Sequence, residues 1–396
     1  MAAGSQPGHT SSASRPEDDA GAAERPSSFA PWRDALAVVV GTRILFFLIG
    51  YAASFLLSSG TSGVPDVGPF DIWNRWDATR FLTTADNGYE GPGSFPNAYA
   101  FFPFFPMAIR MLGWLGLPSL AAGFLISAIG SWVGLAFLWK LAEEEVGEGT
   151  GRRAVLYAAV FPTAVFLIAP YSESLFLAGA IPAFYFARRR RWELVGPFAA
   201  LAMGTRFAGV FLLLGLFVEA LRQRDLSPKQ LFQAGLSLVI GMLPLLGYAA
   251  YLAQVKNDPF YFVTEQRLGW GRSFVGPISA LTNTIDRFDD PTQSTNFQFA
   301  YRIEIVAAAV GVLFVLWAIK KREWGYAVYM GTVLLVLLTS TEYFSIPRIL
   351  LTFFPVAVFM ARATLERPLL HDVYLALSTT AAAVGVVVYT RGSWFF

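Results

Sequence analysis

The chain has 396 residues, 55% of them hydrophobic and 15% charged, with 30 Lys and Arg against 28 Asp and Glu for a formal net charge of +2. That composition is too apolar for an ordinary soluble domain, and the near-neutral balance would not by itself attract nucleic acid or an acidic membrane surface. The absence of cysteine excludes disulfides, thiolate catalysis and cysteine-ligated zinc, and His9 and His371 form no metal-binding pair, so an acid, base or metal ligand is expected to be a carboxylate.

Residues 1–30 are rich in Ser, Ala, Gly and Pro with no apolar period, which predicts a disordered cytoplasmic tail. Residues 31–396 read as a single transmembrane domain. No basic stretch followed directly by a short apolar run and a cleavage site is present, so a removed signal peptide is not expected. Uncharged windows of about 20 residues predict spans over Ala35–Ser58, Leu120–Leu141, Ala154–Pro170, Ser172–Ala187, Leu231–Ala253, Ile303–Ile319, Trp324–Ser340, Ile349–Ala361 and Val373–Tyr389. The expected class is an all-α polytopic membrane protein with about 9–11 transmembrane helices.

Orientation follows from the basic clusters, which collect on the cytoplasmic side of membrane proteins. Arg33, Lys140 to Arg153, Arg188-Arg189-Arg190-Arg191, Arg222 to Lys229, Lys320-Lys321-Arg322 and Arg362 to Arg367 all fall on one face if residues 195–220 enter and leave from the same side. That segment is then a re-entrant pair of half-helices or two very short spans, with Arg206 at its centre. The opposite, extracytoplasmic face receives the loop Ser59 to Pro118, the corner Ala169-Pro170-Tyr171-Ser172-Glu173, the loop Gln254 to Tyr301 and the turn Glu342 to Arg348.

The first loop carries Trp76-Asp77-Ala78-Thr79-Arg80-Phe81-Leu82, then Gly88-Tyr89 and Ala100-Phe101-Phe102-Pro103-Phe104-Phe105-Pro106. A carboxylate, a guanidinium and several rings thus lie where a span meets water, as a reaction on a lipid-linked polar substrate requires. An interfacial helix explains the near-helical spacing of Ile72, Trp73, Trp76 and Leu82 equally well. Asp77 and Arg80 also have the i, i+3 spacing of a surface ion pair, commonly worth less than about 1 kcal/mol.

Arg206 is harder to assign to the background, since an unpaired guanidinium amid apolar residues costs about 2.5–3.5 kcal/mol on insertion scales. Two readings stand for it: a structural ion pair with Glu173 or Asp77, or a contact to phosphate, whose oxygens match the fixed fork of donors. Arg348, at the outer end of a span, has the phosphate reading and that of a snorkelling interfacial arginine.

Taken together, these residues resemble the PIG-V family of membrane mannosyltransferases in the GT-C group of glycosyltransferases, as a bacterial-type homologue. Trp76-Asp77-Ala78 with Gly88-Tyr89 and Ala100 to Pro106 is similar to the family's first outer loop. Phe161-Pro162-Thr163-Ala164-Val165-Phe166 leading to Tyr171-Ser172-Glu173-Ser174-Leu175-Phe176 resembles its second motif, Thr205-Arg206 with Gly209 its third, and Arg348-Ile349-Leu350 with Phe353-Phe354-Pro355 a weaker fourth. The chain departs from the family where Phe207-Ala208 replace an Asn that usually follows the third-motif arginine.

The resemblance implies a GT-C-like bundle with a re-entrant or short helix pair and interfacial helices in the first outer loop. It implies an enzyme moving a sugar, mannose in the family, from a polyprenyl-phosphate donor to a glycan or lipid acceptor hydroxyl on the extracytoplasmic face. For an inverting transfer Asp77 is expected as the base and Glu173 as the second carboxylate, with Arg206, Arg348 and Arg80 on the donor phosphate. Trp73, Trp76, Tyr89, Phe101, Phe102 and Tyr171 are expected to hold the isoprenoid and sugar. No metal or cofactor is expected, because arginines can neutralise the leaving phosphate; Asp71 and Asp77, with Asp66 or Asp86 nearby, are the carboxylates a hard cation would use. The expected setting is a multi-pass protein among membrane lipids, in the plasma membrane if bacterial, with no nucleic-acid partner. A lipid-linked sugar flippase or transporter and a non-catalytic scaffold are the competing classes. Neither charged residues midway along several spans nor an internal repeat favours transport.

Overall fold

The computed structural model describes Met1 and residues 29–56 and 68–396. The expected tail over 1–30 falls almost wholly outside the described residues, as does Asp66.

The described residues are helical, with one isolated β-bridge between Phe274 and Ser340. In chain order the helices are α1 (Ala30–Leu56), α2 (Asp77–Asn87), α3 (Phe104–Gly113), α4 (Ser119–Glu145), α5 (Thr150–Ala159), α6 (Glu173–Arg188), α7 (Trp192–Thr205) and α8 (Gly209–Arg222). They continue as α9 (Pro228–Lys256), α10 (Tyr261–Trp270), α11 (Pro277–Asp286), α12 (Thr295–Lys320), α13 (Trp324–Leu338), α14 (Ile346–Leu350), α15 (Pro355–Thr364) and α16 (Pro368–Thr390).

Helix starts follow local chemistry. Ser227 and Gln230 form a capping box on α9, with Pro228 where its missing N–H costs nothing, and Pro277, Pro355 and Pro368 sit at the starts of α11, α15 and α16. Five helices, α1, α4, α9, α12 and α16, are long and apolar enough to cross a membrane. On α1 the side chains of Leu36, Val40, Ile44 and Leu48 are exposed, as lipid-facing residues are.

Two predicted spans are interrupted rather than continuous. The segment 154–170 leaves helix after α5 at Phe161-Pro162 and resumes as a 3-10 turn over Ala164–Leu167, and 346–364 is divided into α14 and α15 ahead of Pro355. A proline lacks the N–H that would carry the helix through it. The freed backbone groups find partners inside the bundle: Thr163 donates to the Pro347 carbonyl at 3.0 Å and Tyr329 to that of Thr352 at 3.0 Å.

Helix α6 lies at the centre, against α4, α7 and α8. Gly130 makes the contact with α4 possible, since a Cβ there would lie 2.8 Å from the Ser174 carbonyl carbon. As expected, residues 192–222 form a pair of short helices, joined through Arg206.

All four central short helices are tied at the same end. Arg188, closing α6, pairs with Glu145 of α4 and with Glu323 ahead of α13 at 2.8 Å each, and lies 3.8 Å from Glu219 of α8; Trp192, opening α7, donates to Gln223. At 1.5 Å per residue, helices of 14–16 residues reach about 21–24 Å, short of the ~30 Å hydrocarbon core. Their deficit therefore falls at the other end, where it leaves a recess.

Candidate active site

The recess is a cavity of about 210 Å³. Its floor is made by the ends of the short helices, through Ser172, Thr205, Arg206, Phe207 and Leu337, and its walls by Asp77, Phe101, Phe102, Trp270, Arg272 and Arg348 among others.

Each charged side chain is held by a helix end. Asp77 opens α2, where a carboxylate suits the positive end of the helix dipole. Trp76 before it has φ 54° and ψ −120°, a conformation that costs L-residues about 1–3 kcal/mol. Arg348 lies on α14, which also follows a left-handed residue, Ser345 at φ 69°. The buried Glu304 of α12 accepts the backbone amides of Ser345 and Ile346 at 2.6 and 2.8 Å, fixing the start of that helix. Arg206 takes an extended conformation between α7 and α8, and Glu173 opens α6 with no solvent exposure.

These four residues form one ion-pair network. Arg348 donates to Glu173 through Nε and to Asp77 through Nη1, the latter at 2.5 Å. Arg206 Nη1 reaches Glu173 Oε1 at 2.5 Å and Ser172 Oγ at 3.1 Å. The guanidinium of Arg348 rests on the rings of Tyr171 and Phe166 at 4.6 and 4.9 Å. For Arg206 the structural ion pair with Glu173 is thus present, and the same side chain also lines the cavity.

Of the expected site residues, Asp77, Phe101, Phe102, Arg206 and Arg348 line the cavity, with Glu173 paired to both arginines. The aromatic residues of the expected set lie in different places. Trp73 is completely buried beside Phe47 and Tyr389, where its large apolar surface serves the core. Tyr89 stacks on Tyr99 at 4.9 Å and donates to the Phe101 carbonyl, bracing the loop rather than facing the cavity. Tyr171 is buried beneath Arg348, and Trp76, partly exposed, makes an edge contact with the lining residue Trp394. Arg80 is not a lining residue; its guanidinium lies over Phe95 and Trp270 at 4.6 and 4.7 Å.

The lining also includes Gln266, Arg272 and Trp394, to which the sequence motifs give no role. Trp394 stacks on Phe344 at 4.8 Å and on Phe297 at 5.6 Å. Arg272 has only long contacts, from Nη1 to Gln266 Oε1 at 3.4 Å and from Nη2 to the Phe344 carbonyl at 3.5 Å. Burial pulls its pKa below the ordinary arginine value, with Asp77 opposing the shift. Among the described residues no group of three or more His, Asp or Glu could hold a metal ion. Asp71 accepts the Gly68 amide and Asp86 the Ser119 hydroxyl.

No family model matches the chain. It is 33% identical over 202 residues to the GPI alpha-1,6-mannosyltransferase 2 of Mus musculus, a match covering 45% of this chain and 40% of that protein. The Cricetulus griseus protein of the same name is 33% identical over 201 residues with the same coverage. The chain thus spans 40% of the length of the curated relatives it matches. Among solved structures, ArnT from Cupriavidus metallidurans bound to undecaprenyl phosphate aligns with 89% of this chain and 64% of its own, at a TM-score of 0.54 and 14% identity. The all-α bundle is therefore of the GT-C-like kind expected, and its five apolar helices make it an integral membrane protein.

Proposed function

We propose that the protein is a membrane glycosyltransferase of the PIG-V kind, moving a sugar from a polyprenyl-phosphate donor to an acceptor hydroxyl at this cavity. The observation that carries the reading is that Asp77, Glu173, Arg206 and Arg348, from four separate motif segments, form one network at one cavity. The partial likeness to mannosyltransferases supports mannose as the sugar. The cavity lies at the end of the bundle opposite the basic clusters, which supports an extracytoplasmic site. Its volume is below the ~300–1,000 Å³ of pockets that enclose drug-sized ligands, which suits a headgroup whose lipid chain stays in the bilayer.

In the transfer, Asp77 takes the proton from the acceptor hydroxyl as its oxygen bonds to the anomeric carbon, and the bond from that carbon to the phosphate oxygen breaks on the opposite face. The polyprenyl phosphate leaves with the electron pair of that bond, and the guanidinium donors of the cavity stabilise its charge. Asp77 must be released by Arg348 for this step. The phosphate provides the competing anion.

Purified protein given a synthetic short-chain polyprenyl-phosphate mannose and a glycolipid extract should release polyprenyl phosphate and form a mannosylated product in detergent. Binding of the donor without any transfer, coupled to its movement between leaflets in vesicles, would replace this reading by the flippase one.

A further inference from the structure

The charges around the cavity do not all cancel locally. Arg206 is committed to Glu173, and Arg348 to Glu173 and Asp77. Glu304, a buried carboxylate near the wall, gives both oxygens to backbone amides. Arg272 lines the same cavity with no carboxylate within 4.0 Å among the described residues. This half-buried guanidinium makes only long contacts to neutral oxygens and has no anionic partner in the ion-pair network. Gln266 accepts one of these contacts through its carbonyl oxygen, leaving its amide N–H groups to donate elsewhere.

The position is held from both sides. The amide of Ser273 donates to Thr341 Oγ1 at 2.9 Å, the Val275 amide to the Thr339 carbonyl at 2.8 Å, and Thr341 Oγ1 to the Gly271 carbonyl at 2.8 Å. Trp270, two residues before the arginine, and Phe344 against its guanidinium make the adjoining wall apolar.

We propose that Arg272, with the Gln266 amide beside it, binds the phosphate of the lipid-linked donor, while Arg206 and Arg348 hold the two carboxylates in the resting site. The proposal rests on the glycosyl-transfer reading above and assigns within it a ligand that the sequence motifs do not contain. An isoprenoid phosphate fits this chemistry, since its anion meets a planar fork of donors and its chain meets aromatic side chains.

Calorimetric titration of the purified protein in detergent with geranylgeranyl phosphate, geranylgeraniol and inorganic phosphate tests it, with melting midpoints measured alongside. Wild type should prefer geranylgeranyl phosphate to both. Arg272→Gln should weaken its binding about tenfold or more, the scale of a charged hydrogen bond, and Arg272→Lys should restore part of the loss, both at an unchanged midpoint. Wild-type binding of the phosphate in Arg272→Gln overturns the proposal and leaves the transferase reading standing. Inorganic phosphate binding as tightly as the lipid phosphate overturns the lipid source. A wild-type protein that does not distinguish the phosphate from the alcohol overturns both readings together.

Discussion

Arg348 Nη1 lies 2.5 Å from Asp77 Oδ2, joining residues 271 positions apart in the sequence. The contact puts the proposed base and a guanidinium in one geometry before any substrate is present, and it orders the consequences of substitution.

Asp77→Asn keeps the shape of the side chain and an oxygen for Arg348 but cannot accept a proton. Turnover should fall by a general-base factor of about 10²–10⁴ with donor affinity little changed. Single-turnover transfer with a labelled short-chain donor reads the first, and equilibrium binding of the same donor the second. Near-normal turnover would remove Asp77 from the base role.

Glu173→Gln should act mainly on stability. The side chain has 0% exposure and receives both Arg206 and Arg348. Removing a charge from a buried, paired network costs about 3–5 kcal/mol when it leaves the partners uncompensated. A lowered melting midpoint in detergent, larger than that of Asp77→Asn, is expected; an unchanged midpoint would contradict the structural role.

Gly130→Ala tests the approach of α4 to α6. The added Cβ would lie 2.8 Å from backbone atoms of Ser174, next to Glu173, so overpacking of about 1–3 kcal/mol is expected. Gly235→Ala on α9, where nothing lies within 4 Å of the new Cβ, is the matched control and should be neutral or slightly stabilising. Equal melting midpoints for the two variants would refute the close-packing argument.

Orientation can be read by chemical labelling, because the chain has no native cysteine. Cysteine at Asn97 or Asn283, both at the cavity end, should react with an impermeant maleimide applied to intact cells. Cysteine at Glu144, which pairs with Arg189 at the other end, should not. Labelling at 144 alone would invert the proposed topology.

The long spans and the hairpin around Arg206 were legible because lipid imposes a simple rule, about 20 apolar residues per crossing. The breaks at Pro162 and Pro355 were not read, since an apolar window stays apolar whether or not its helix is continuous; the prolines themselves were the available signal. Asp77, Glu173, Arg206 and Arg348 stood out as charges set in apolar or aromatic surroundings. Gln266 lies on α10 and Arg272 just beyond its end, and pairing of 271–275 with 339–341, which no local pattern encodes, holds Arg272 at the cavity. Trp394 follows the last span and reaches the site through stacking on Phe344, which no local pattern encodes. Trp73 and Tyr89 show the converse: aromatic content near a site does not say which ring faces inward.

The Arg188 cluster has a further consequence for how the bundle is held. Its guanidinium rivets four helices, α4, α6, α8 and α13, at a single point, with Tyr326 donating to Glu145 at 2.6 Å and lying 4.2 Å beneath the arginine. At the cavity end the start of α6 and the α7–α8 link are joined in turn through Glu173 and Arg206. The bundle is thus tied at both ends, by this rivet and by the Glu173 network at the cavity.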